Sequence, residues 1–391
     1  MKATKVKILT VGGGSGGHVT PVVAVINQLV ANHNNHLEIR FWCDRGYYTQ
    51  ASSLIKTADT KVKMSSIFAG KLRRYHGTSF FQKLIDVPTN LHNIFDVFLV
   101  MLGFFQSMIK LIIWRPEVIF LKGGFVCLPV GYAAFLLRIP IVIHDSDAHA
   151  GLANRLIAPL AKYIATGMPL EYYSYPRRKS SYVGIPVKPG IKPVSQYEAG
   201  RIKAKLGFSS KQPLVLVTGG GLGAKRINDA IVAIAPDLIK HTSVMHLSGA
   251  KQYDELKDKI PQSSNYHLKG FVSDNFEDLI VASDIVISRA GASTLAELAA
   301  VGANVILVPN AQLVGGHQVK NAHVYTDRGA AELADEMKFT PNPKLLLKQI
   351  VDLLHDDKKR HQLGKSLHGF AKPDAAKDVA QLILKAVGDG V

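Results

Sequence analysis

Cysteine is scarce in this chain of 391 residues, and no long apolar run stands at its N-terminus. The two cysteines, Cys43 and Cys127, lie in unrelated apolar stretches. This argues against a disulfide framework or a cysteine metal site and favours a reducing compartment. Only the strand-like residues 6–11 precede the first glycines, and such a run is too short for a signal peptide. We therefore expect a cytoplasmic protein.

Acidic residues are few relative to basic ones, since 30 Asp and Glu stand against 47 Lys and Arg and give a net charge of +17. An excess of this size points to a polyanionic partner: nucleic acid, anionic lipid or a phosphate-rich substrate. Solvated lysines can supply part of it without any partner. The sequence lacks an aromatic RNA-binding signature, so we expect no nucleic-acid partner.

Strand and helix patterns alternate through the chain, which predicts an α/β protein with parallel sheets covered on both faces. In the first half, the strand 6–11 leads into a glycine-rich loop, 12–17. A helix is expected to start near Thr20 and Pro21, since these residue types suit a helix N-terminus. Further strands are expected at 38–43, 118–122 and 139–143.

A proline-rich stretch, 166–193, interrupts this alternation and is typical of a linker. A second series follows it, with a strand at 214–218, a glycine-rich loop at 219–223, a helix at 224–239 and strands at 243–247, 285–288 and 304–308. This plan predicts two domains, 1–188 and 189–373. The last helix, within 374–391, is detached from the second series, and we expect it to join the first domain.

The segment 92–114 has the length of a helix but an unusual distribution of polar residues. Its polar and glycine positions fall on one narrow stripe of a helix: His92, Asp96, Gly103, Ser107 and Lys110. Thirteen residues separate Asp96 from Lys110, too few for a membrane span. The segment is either buried beneath the sheet or lies with its apolar face in a membrane interface. Basic and aromatic residues just upstream favour an anionic membrane surface bound through 71–114.

Both glycine-rich loops join a strand to a helix, where backbone N–H groups and the helix dipole can face negative charge. The loop 12–17 fits the dinucleotide fingerprint poorly, because Asp44 is the only acidic candidate at the end of the second strand. Neither loop has the lysine–serine pair of P-loop nucleotide hydrolases. The loops therefore predict phosphate-type ligands, and they disfavour a dinucleotide oxidoreductase or a nucleotidase.

The stretch 288–297 is a more specific signal. A strand ends, a glycine turns the chain, and a helix begins near Ser293. Thr294 and Glu297 have the spacing of a capping box, which needs no ligand. The same helix start also suits a diphosphate, with Glu297 placed to accept hydrogen bonds from ribose hydroxyls. Downstream, the polar residues 315–321 precede another helix and suit sugar hydroxyls.

In this order the motifs resemble the bacterial MurG family of GT-B glycosyltransferases, and they cover nearly the whole chain. The motifs are Gly16-Gly17-His18, 122–125, Ile143-His144-Asp145 with 150–154, 183–187, 219–224, 291–297 and His317-Gln318 with Asn321-Ala322. The resemblance implies two Rossmann-like α/β domains that face each other across a cleft. It implies inverting transfer of N-acetylglucosamine from UDP-N-acetylglucosamine to undecaprenyl-pyrophosphoryl-N-acetylmuramoyl-pentapeptide, which gives the lipid-linked peptidoglycan precursor. Such an enzyme would act without a cofactor, peripherally on the cytoplasmic face of the plasma membrane.

The resemblance also implies the residues of the site. In the second domain, Val272 would lie by the uracil, Glu297 by the ribose and Gln318 by the sugar of the donor. The donor diphosphate would be contacted by the helix start formed by Ala292, Ser293, Thr294, Leu295 and Ala296. In the first domain, the acceptor pyrophosphate and the reacting hydroxyl would be faced by Ser15, Gly16, Gly17 and His18.

Three positions depart from the family pattern, which usually has asparagine at Asp147, serine at Gly221 and arginine at Lys188. We keep all three among the expected substrate-binding residues. The general base of the transfer is then either His18, at a helix entry, or Asp147. The string 144–149 also imitates an Asp-x-Asp metal motif, which a GT-B fold does not require, and we expect no metal.

Two other enzyme classes share this architecture. One is a glycosyltransferase that acts on a different lipid acceptor, such as diacylglycerol. The other is a UDP-sugar 2-epimerase, which needs no lipid surface, so the apolar segment 94–114 and the pair Arg73-Arg74 argue against it. A non-catalytic nucleotide-binding or RNA-binding protein is disfavoured because the sugar-site motif is intact.

Overall fold

The computed structural model describes residues 5–33, 36–71, 87–188, 190–220, 223–272, 275–312 and 316–388. The chain divides into two compact units, Met1–Pro189 with Lys372–Val391 and Gly190–Ala371. The basic and aromatic residues at 72–83, on which part of the expected membrane contact rests, lie outside the described residues, and so does Gly221.

Parallel strands form the sheet of the first unit, seven of them among the described residues. They are β1 Val6–Val11, β2 Leu37–Asp44, β3 Lys63–Ile67, β4 Val118–Leu121, β5 Ile141–Asp145, β6 Tyr163–Thr166 and β7 Ser180–Tyr182. Their spatial order is β3-β2-β1-β4-β5-β6-β7. Because the order reverses between β1 and β4, the carboxyl ends of these two strands form the topological switch point, where open α/β sheets bind ligands.

The helices of the first unit lie between these strands. They are α1 Gly16–His33, α2 Tyr48–Ile55, α3 Val87–Ile113, α4 Cys127–Leu136 and α5 Leu152–Ile157, with short 3-10 turns at Arg45–Tyr47, Ala158–Leu160, Leu170–Tyr172 and Arg177–Lys179. Helix α1 begins four residues before the predicted start at Thr20. The cause is local, because the His18 N–H donates to the Ser15 carbonyl and closes a helical turn inside the glycine-rich loop.

The second unit repeats the plan with a sheet that has six parallel strands among the described residues. These are β8 Leu214–Thr218, β9 Ser243–Leu247, β10 Tyr266–Lys269, β11 Ile285–Ser288, β12 Val305–Leu307 and β13 Glu332–Leu333. Their order is β10-β9-β8-β11-β12-β13, so the switch point lies between β8 and β11. The prediction of parallel sheets in both halves is confirmed.

The helices of the second unit are α6 Gln196–Lys205, α7 Lys225–Leu238, α8 Tyr253–Leu256, α9 Phe276–Ala282, α10 Ala292–Val301, α11 His317–Thr326, α12 Glu336–Phe339, α13 Lys344–Leu354 and α14 Asp357–His368. The last helix, α15 Ala375–Gly388, packs against α1 in the first unit. Val379 and Ile383 of α15 share a buried core with Val22 and Ile26 of α1. Apolar residues at helical spacing on both helices explain this docking.

Helix α3 turns its polar stripe toward the protein. Asp96 and Ser107 are buried. The Gln106 side chain accepts from the Phe68 N–H at 2.9 Å and donates to the Ser66 carbonyl at 3.2 Å, which ties the helix to the edge strand β3. The exposed apolar residues of α3 include Leu91, Ile94, Phe95, Phe98, Met101, Phe105, Ile109, Ile112 and Ile113. The interpretation of a helix buried beneath the sheet is therefore wrong, because the polar side meets the protein and leaves the apolar side outside.

Candidate functional site

The first glycine-rich loop lies at the switch point between β1 and β4. Asp44, at the end of β2 and 5% exposed, accepts hydrogen bonds from the Gly14 N–H at 2.7 Å and the Tyr47 N–H at 3.0 Å. A carboxylate held by the loop in this way is not presented to a ribose, as its counterpart is in dinucleotide-binding folds. The poor fit to the dinucleotide fingerprint thus has a physical cause, since Asp44 shapes the loop.

This loop meets the second glycine motif, residues 122–125, at close range. Gly124 has a φ of +88°, and a Cβ at that position would lie 2.6 Å from the Gly13 carbonyl oxygen. Only glycine allows this approach of two backbones. The His18 imidazole lies beside the crossing, because a Cβ at Gly123 would be 3.3 Å from its Cε1 atom. Helix α1 therefore presents His18 where the two glycine motifs meet.

The residues before His18 are open to a ligand. Ser15 and Gly17 are exposed and Gly16 is partly buried. These residues lead directly into α1, whose N-terminal N–H groups and dipole favour an anion. Ser15, Gly16, Gly17 and His18 therefore lie at the carboxyl edge of the sheet, at the start of α1.

A buried hydrogen-bond chain runs behind this edge. The Lys122 ammonium donates to Ser146 Oγ at 2.6 Å, Ser146 Oγ lies 3.4 Å from His144 Nδ1, and His144 Nε2 lies 2.8 Å from the Gly184 carbonyl oxygen. Burial and then the charge of Lys122 hold the pKa of His144 well below its usual range. A neutral His144 with its proton on Nε2 donates to Gly184 and accepts from Ser146, so both of its ring nitrogens take part in the hydrogen-bond chain.

The two aspartates that follow this histidine differ in exposure. Asp145 is buried and accepts from the Tyr175 hydroxyl at 2.8 Å and the Gly151 N–H at 3.1 Å. Burial raises the pKa of Asp145 to about 6. Asp147 is partly exposed, and its carboxylate acts electrostatically on both Asp145 and Lys122. Of the pair, Asp147 is the carboxylate that a substrate can reach.

The string 144–149, which imitates a metal motif, serves the hydrogen bonding of the fold. His144 is engaged with Gly184, and Asp145 with Tyr175. Within the described ranges, no group of three or more His, Cys, Asp and Glu side chains is placed to hold a metal ion. His144 and Asp145 of this string are therefore engaged in hydrogen bonds within the fold.

At the second switch point, the loop that starts at Gly219 follows β8, and helix α10 follows β11. The helix begins at Ala292 directly after Gly291, which gives its N-terminus no side-chain cap. Thr294 is therefore inside the helix, and the capping-box interpretation of Thr294 and Glu297 is wrong, because α10 starts three residues earlier than that cap requires. The first-turn N–H groups of α10 have no acceptor within the helix and suit an anion.

Glu297 lies one turn further along α10 and is partly buried. Burial, and to a smaller extent the charge of Glu277, raises the pKa of Glu297 to about 7. Glu277 belongs to α9, the helix that follows the loop containing Val272, and Val272 is itself partly buried. Val272 thus follows the carboxyl end of β10 and Glu297 lies on the helix after β11, in one sheet. Helix α9, which comes after Val272, contacts α10.

The polar motif at the start of α11 is fixed to the same edge. Gln318 Oε1 accepts from the Asn310 N–H at 2.9 Å, so its amide nitrogen is the end that can serve a ligand. Asn321 is fully buried, and its Nδ2 donates to the Ala290 carbonyl at 3.1 Å. This bond ties α11 to the turn before α10.

Sequence reasoning missed a buried polar network in the second unit. His246 Nε2 lies 2.9 Å from Asn228 Oδ1, and His246 Nδ1 lies 2.7 Å from the Tyr266 hydroxyl. Burial lowers the pKa of His246 to about 4, so the ring is neutral. The network joins β9 and β10 to α7, the helix that follows the Gly219 loop. A histidine inside the apolar strand pattern 243–247 was the available signal.

A second missed group holds the end of β11 against the start of α7. Buried Glu336 accepts from Arg289 at 2.6 Å and from Arg226 at 3.1 Å. These partners are far apart in the sequence, so spacing alone gives no sign of the cluster. Among the remaining expected site residues, Lys188 is exposed at the end of the described range 87–188.

Comparison with known proteins identifies the family to which the chain belongs. The model of the glycosyltransferase family 28 N-terminal domain matches residues 8–166, and that of the family 28 C-terminal domain matches residues 214–379. A relative from Bacillus cereus, UDP-N-acetylglucosamine–N-acetylmuramyl-(pentapeptide) pyrophosphoryl-undecaprenol N-acetylglucosamine transferase 2, is 32% identical over 385 residues, which cover 97% of this chain and 99% of the relative.

Solved structures agree on the fold. The crystal structure of MurG from Acinetobacter baumannii aligns with a TM-score of 0.69 and 24% identity over 97% of this chain and 99% of that one. A UDP-GlcNAc 2-epimerase from Neisseria meningitidis aligns with a TM-score of 0.62 and 16% identity over 97% of this chain and 100% of that one. These likenesses show the fold, and the prediction of a GT-B fold is confirmed. By its sequence, the chain belongs to the MurG family within glycosyltransferase family 28.

Proposed function

We propose that this enzyme transfers N-acetylglucosamine from UDP-N-acetylglucosamine to undecaprenyl-pyrophosphoryl-N-acetylmuramoyl-pentapeptide with inversion. An acceptor hydroxyl oxygen forms the new bond to the anomeric carbon, the bond to UDP breaks, and the hydroxyl proton passes to a base. The observation that carries the proposal is the 32% identity to the Bacillus cereus transferase over nearly the whole chain. The two switch-point sites, one in each unit, supply the chemistry that the reaction needs.

The donor is assigned to the second unit. Its diphosphate would lie at the N-terminus of α10, against backbone from Ala292 to Ala296, where the helix dipole and N–H groups stabilise the leaving UDP without a metal. Glu297 would accept from the ribose hydroxyls, and Val272 would contact the uracil. Gln318 would donate to the sugar. Each of these residues lies at the carboxyl edge of the second sheet or on the helices that begin there.

The acceptor is assigned to the first unit. Its pyrophosphate would lie at Ser15, Gly16 and Gly17, at the start of α1. His18 is the base of our proposal, because it is held beside the crossing of the two glycine motifs. Asp147 is the second candidate, since it is a partly exposed carboxylate at the same edge. A base near the reacting hydroxyl contributes roughly 10²–10⁴-fold to such a step.

A membrane surface is the proposed route to the lipid-linked acceptor. By its length and composition alone, helix α3 could cross a membrane, and only 22% of its most apolar stretch is buried in the protein. Its polar side is hydrogen-bonded to β3, however, so a helix that lies in the interface fits better than one that spans it. Exposed Phe135 and Leu136 lie at the end of the adjacent α4, and exposed Arg138 follows them. They add apolar and basic surface beside α3. The proposed location is peripheral, on the cytoplasmic face of the plasma membrane.

Vesicle binding tests this surface. Phe98→Ser with Phe105→Ser removes two large exposed side chains from α3, and membrane partitioning should fall about tenfold or more, because each buried phenylalanine contributes about 1.5–3 kcal/mol. Sedimentation with vesicles of phosphatidylglycerol and phosphatidylcholine measures it. Met337→Ser, at an exposed apolar position in the second unit, is the matched control and should bind as the unchanged chain does. Equal binding by all three proteins would contradict the proposal.

Turnover tests the reaction. The purified chain is incubated with UDP-N-acetylglucosamine and a short-chain analogue of the polyprenyl-pyrophosphate acceptor in the presence of a chelator, and release of UDP and the disaccharide product are followed. We expect both to form in equal amounts. Transfer to diacylglycerol but not to this acceptor, or formation of the 2-epimer of the sugar nucleotide without transfer, would overturn the proposal in favour of the related enzyme class.

A further inference from the structure

Lys122, the lysine of the second glycine motif, contacts neither substrate in the proposed reaction. Lys122 is 1% exposed, and its ammonium donates to Ser146 Oγ at 2.6 Å. Its stem lies beneath the first glycine-rich loop, since a Cβ at Gly12 would be 3.6 Å from the Lys122 Cβ. A buried charge is costly unless neighbouring charges compensate it. The position of this ammonium therefore has to be explained by what surrounds it.

Two carboxylates surround it. Asp145 and Asp147 flank Ser146 in the sequence, and both act electrostatically on the Lys122 ammonium. Burial lowers the pKa of Lys122 to about 8 while the two carboxylates oppose the shift, so the ammonium is largely protonated at pH 7. His144 is neutral there, because burial and Lys122 depress its pKa. The charged cluster behind the loop thus contains one ammonium, from Lys122, and two carboxyl groups, from Asp145 and Asp147.

The balance between the Lys122 ammonium and the two carboxylates affects how an anionic substrate binds at the loop. The start of α1 attracts a pyrophosphate, while Asp145 and Asp147 at the same sheet edge repel it. Asp145 is buried, so salt screens its repulsion less than the repulsion between surface groups. Lys122 is a buried cation on which both carboxylates act, and its stem lies beneath the loop.

We propose that Lys122 is a positioning residue for the acceptor, whose buried ammonium offsets the Asp145 and Asp147 carboxylates so that a pyrophosphate group can settle at residues 15–17. The inference rests on the proposed function, which assigns the acceptor pyrophosphate to this loop. Lys122 touches no reacting atom in this scheme. It acts by its charge on the two aspartates, and Ser146 Oγ only accepts a hydrogen bond from it.

Binding of inorganic pyrophosphate to the full chain tests the inference separately from turnover. Titration calorimetry is done with saturating UDP, so that the second unit is occupied. Lys122→Met should weaken pyrophosphate binding about tenfold, since it removes a buried positive charge that acts on both carboxylates. Asp145→Asn, which keeps an acceptor oxygen for Tyr175 and Gly151, should strengthen binding about threefold for the opposite reason. The double variant should return to within about threefold of the unchanged chain.

Two controls separate charge from structure. Ser146→Ala removes the hydrogen bond of Lys122 but not its charge, and pyrophosphate affinity should change less than about threefold. Thermal unfolding of each variant shows whether the fold is kept, and Asp145→Asn remains a test if Lys122→Met fails to fold. No pyrophosphate binding by the unchanged chain, equal affinity in Lys122→Met, or no gain in Asp145→Asn would overturn the proposal. Failure of the turnover assay alone would overturn the reaction instead.

Discussion

The two switch-point sites place different side chains around a similar turn from strand to helix. In the first unit the loop is surrounded by groups that carry or exchange protons: His18, Lys122, Asp145 and Asp147. In the second unit the start of α10 offers backbone N–H groups and one partly buried carboxyl, Glu297. The first site is therefore equipped for proton transfer and the second for holding a fixed negative charge. A transferase needs this division, because one substrate must lose a proton while the other releases a diphosphate.

The largest expected effect comes from the first site. His18→Ala should lower kcat about 10²–10⁴-fold, because it removes the proposed base from the reacting hydroxyl. Steady-state rates at saturating concentrations of both substrates measure it. Asp147→Asn is the matched variant and should lower kcat less than about tenfold. The reverse order of the two losses would assign the base to Asp147.

The crossing of the two glycine motifs should be sensitive to an added side chain. Gly124→Ala places a Cβ 2.6 Å from the Gly13 carbonyl oxygen at a φ of +88°, and the free energy of unfolding should fall by about 3 kcal/mol or more. Gly220→Ala has a similar φ of +80° but no atom within 4 Å, so it should cost only about 1–2 kcal/mol. Urea unfolding compares them, and equal losses would mean that the close approach is unimportant.

Removal of the carboxylate in the second site should have a smaller effect. Glu297→Gln keeps the shape of the side chain but loses the charge-assisted acceptor for the ribose, and the Kd for UDP-N-acetylglucosamine should rise about tenfold. Titration calorimetry measures the Kd. Glu277→Gln removes only the charge that neighbours Glu297, so it should not weaken the binding of UDP-N-acetylglucosamine. An unchanged Kd in Glu297→Gln would limit this residue to a packing role in α10.

The pH dependence of donor binding should be the smallest effect of the series. Burial and then Glu277 raise the pKa of Glu297 from 4.5 to about 7, so the folded protein takes up a proton as the pH falls through 7 and loses the carboxylate. The affinity for UDP-N-acetylglucosamine should therefore fall severalfold between about pH 8 and pH 6. Glu297→Gln should abolish this dependence, and Glu277→Gln should move its midpoint to lower pH. A midpoint that stays in place in Glu297→Gln would assign the titration to another group.

Much of the fold could be predicted because strands of a parallel sheet are buried on both faces and stand out as apolar runs. The strands 6–11, 214–218, 243–247 and 285–288 have the same bounds in the structure as in the sequence pattern. The short edge strands β3 and β13 carry too few apolar residues to be seen in this way. The start of α1 was missed because it depends on one backbone hydrogen bond, from His18 to Ser15.

The site was only partly predictable. Glycine-rich turns after strands gave the two switch points, because their spacing is local. The buried hydrogen bonds of Lys122 and His246 could not be predicted. Their partners, Ser146 and Asn228, are distant in the sequence, and no local pattern connects them. Helix α3 shows a further limit. Its periodicity separates a polar from an apolar side but does not say which of the two faces the protein.

The central claim is that proton transfer belongs to the first site and donor binding to the second. The affinity of His18→Ala for UDP-N-acetylglucosamine, measured by titration calorimetry beside Glu297→Ala, tests it most directly. We expect His18→Ala to bind the donor within about twofold of the unchanged chain although its turnover is lost, and Glu297→Ala to bind about tenfold more weakly. Loss of donor affinity in His18→Ala, with normal affinity in Glu297→Ala, would contradict the account.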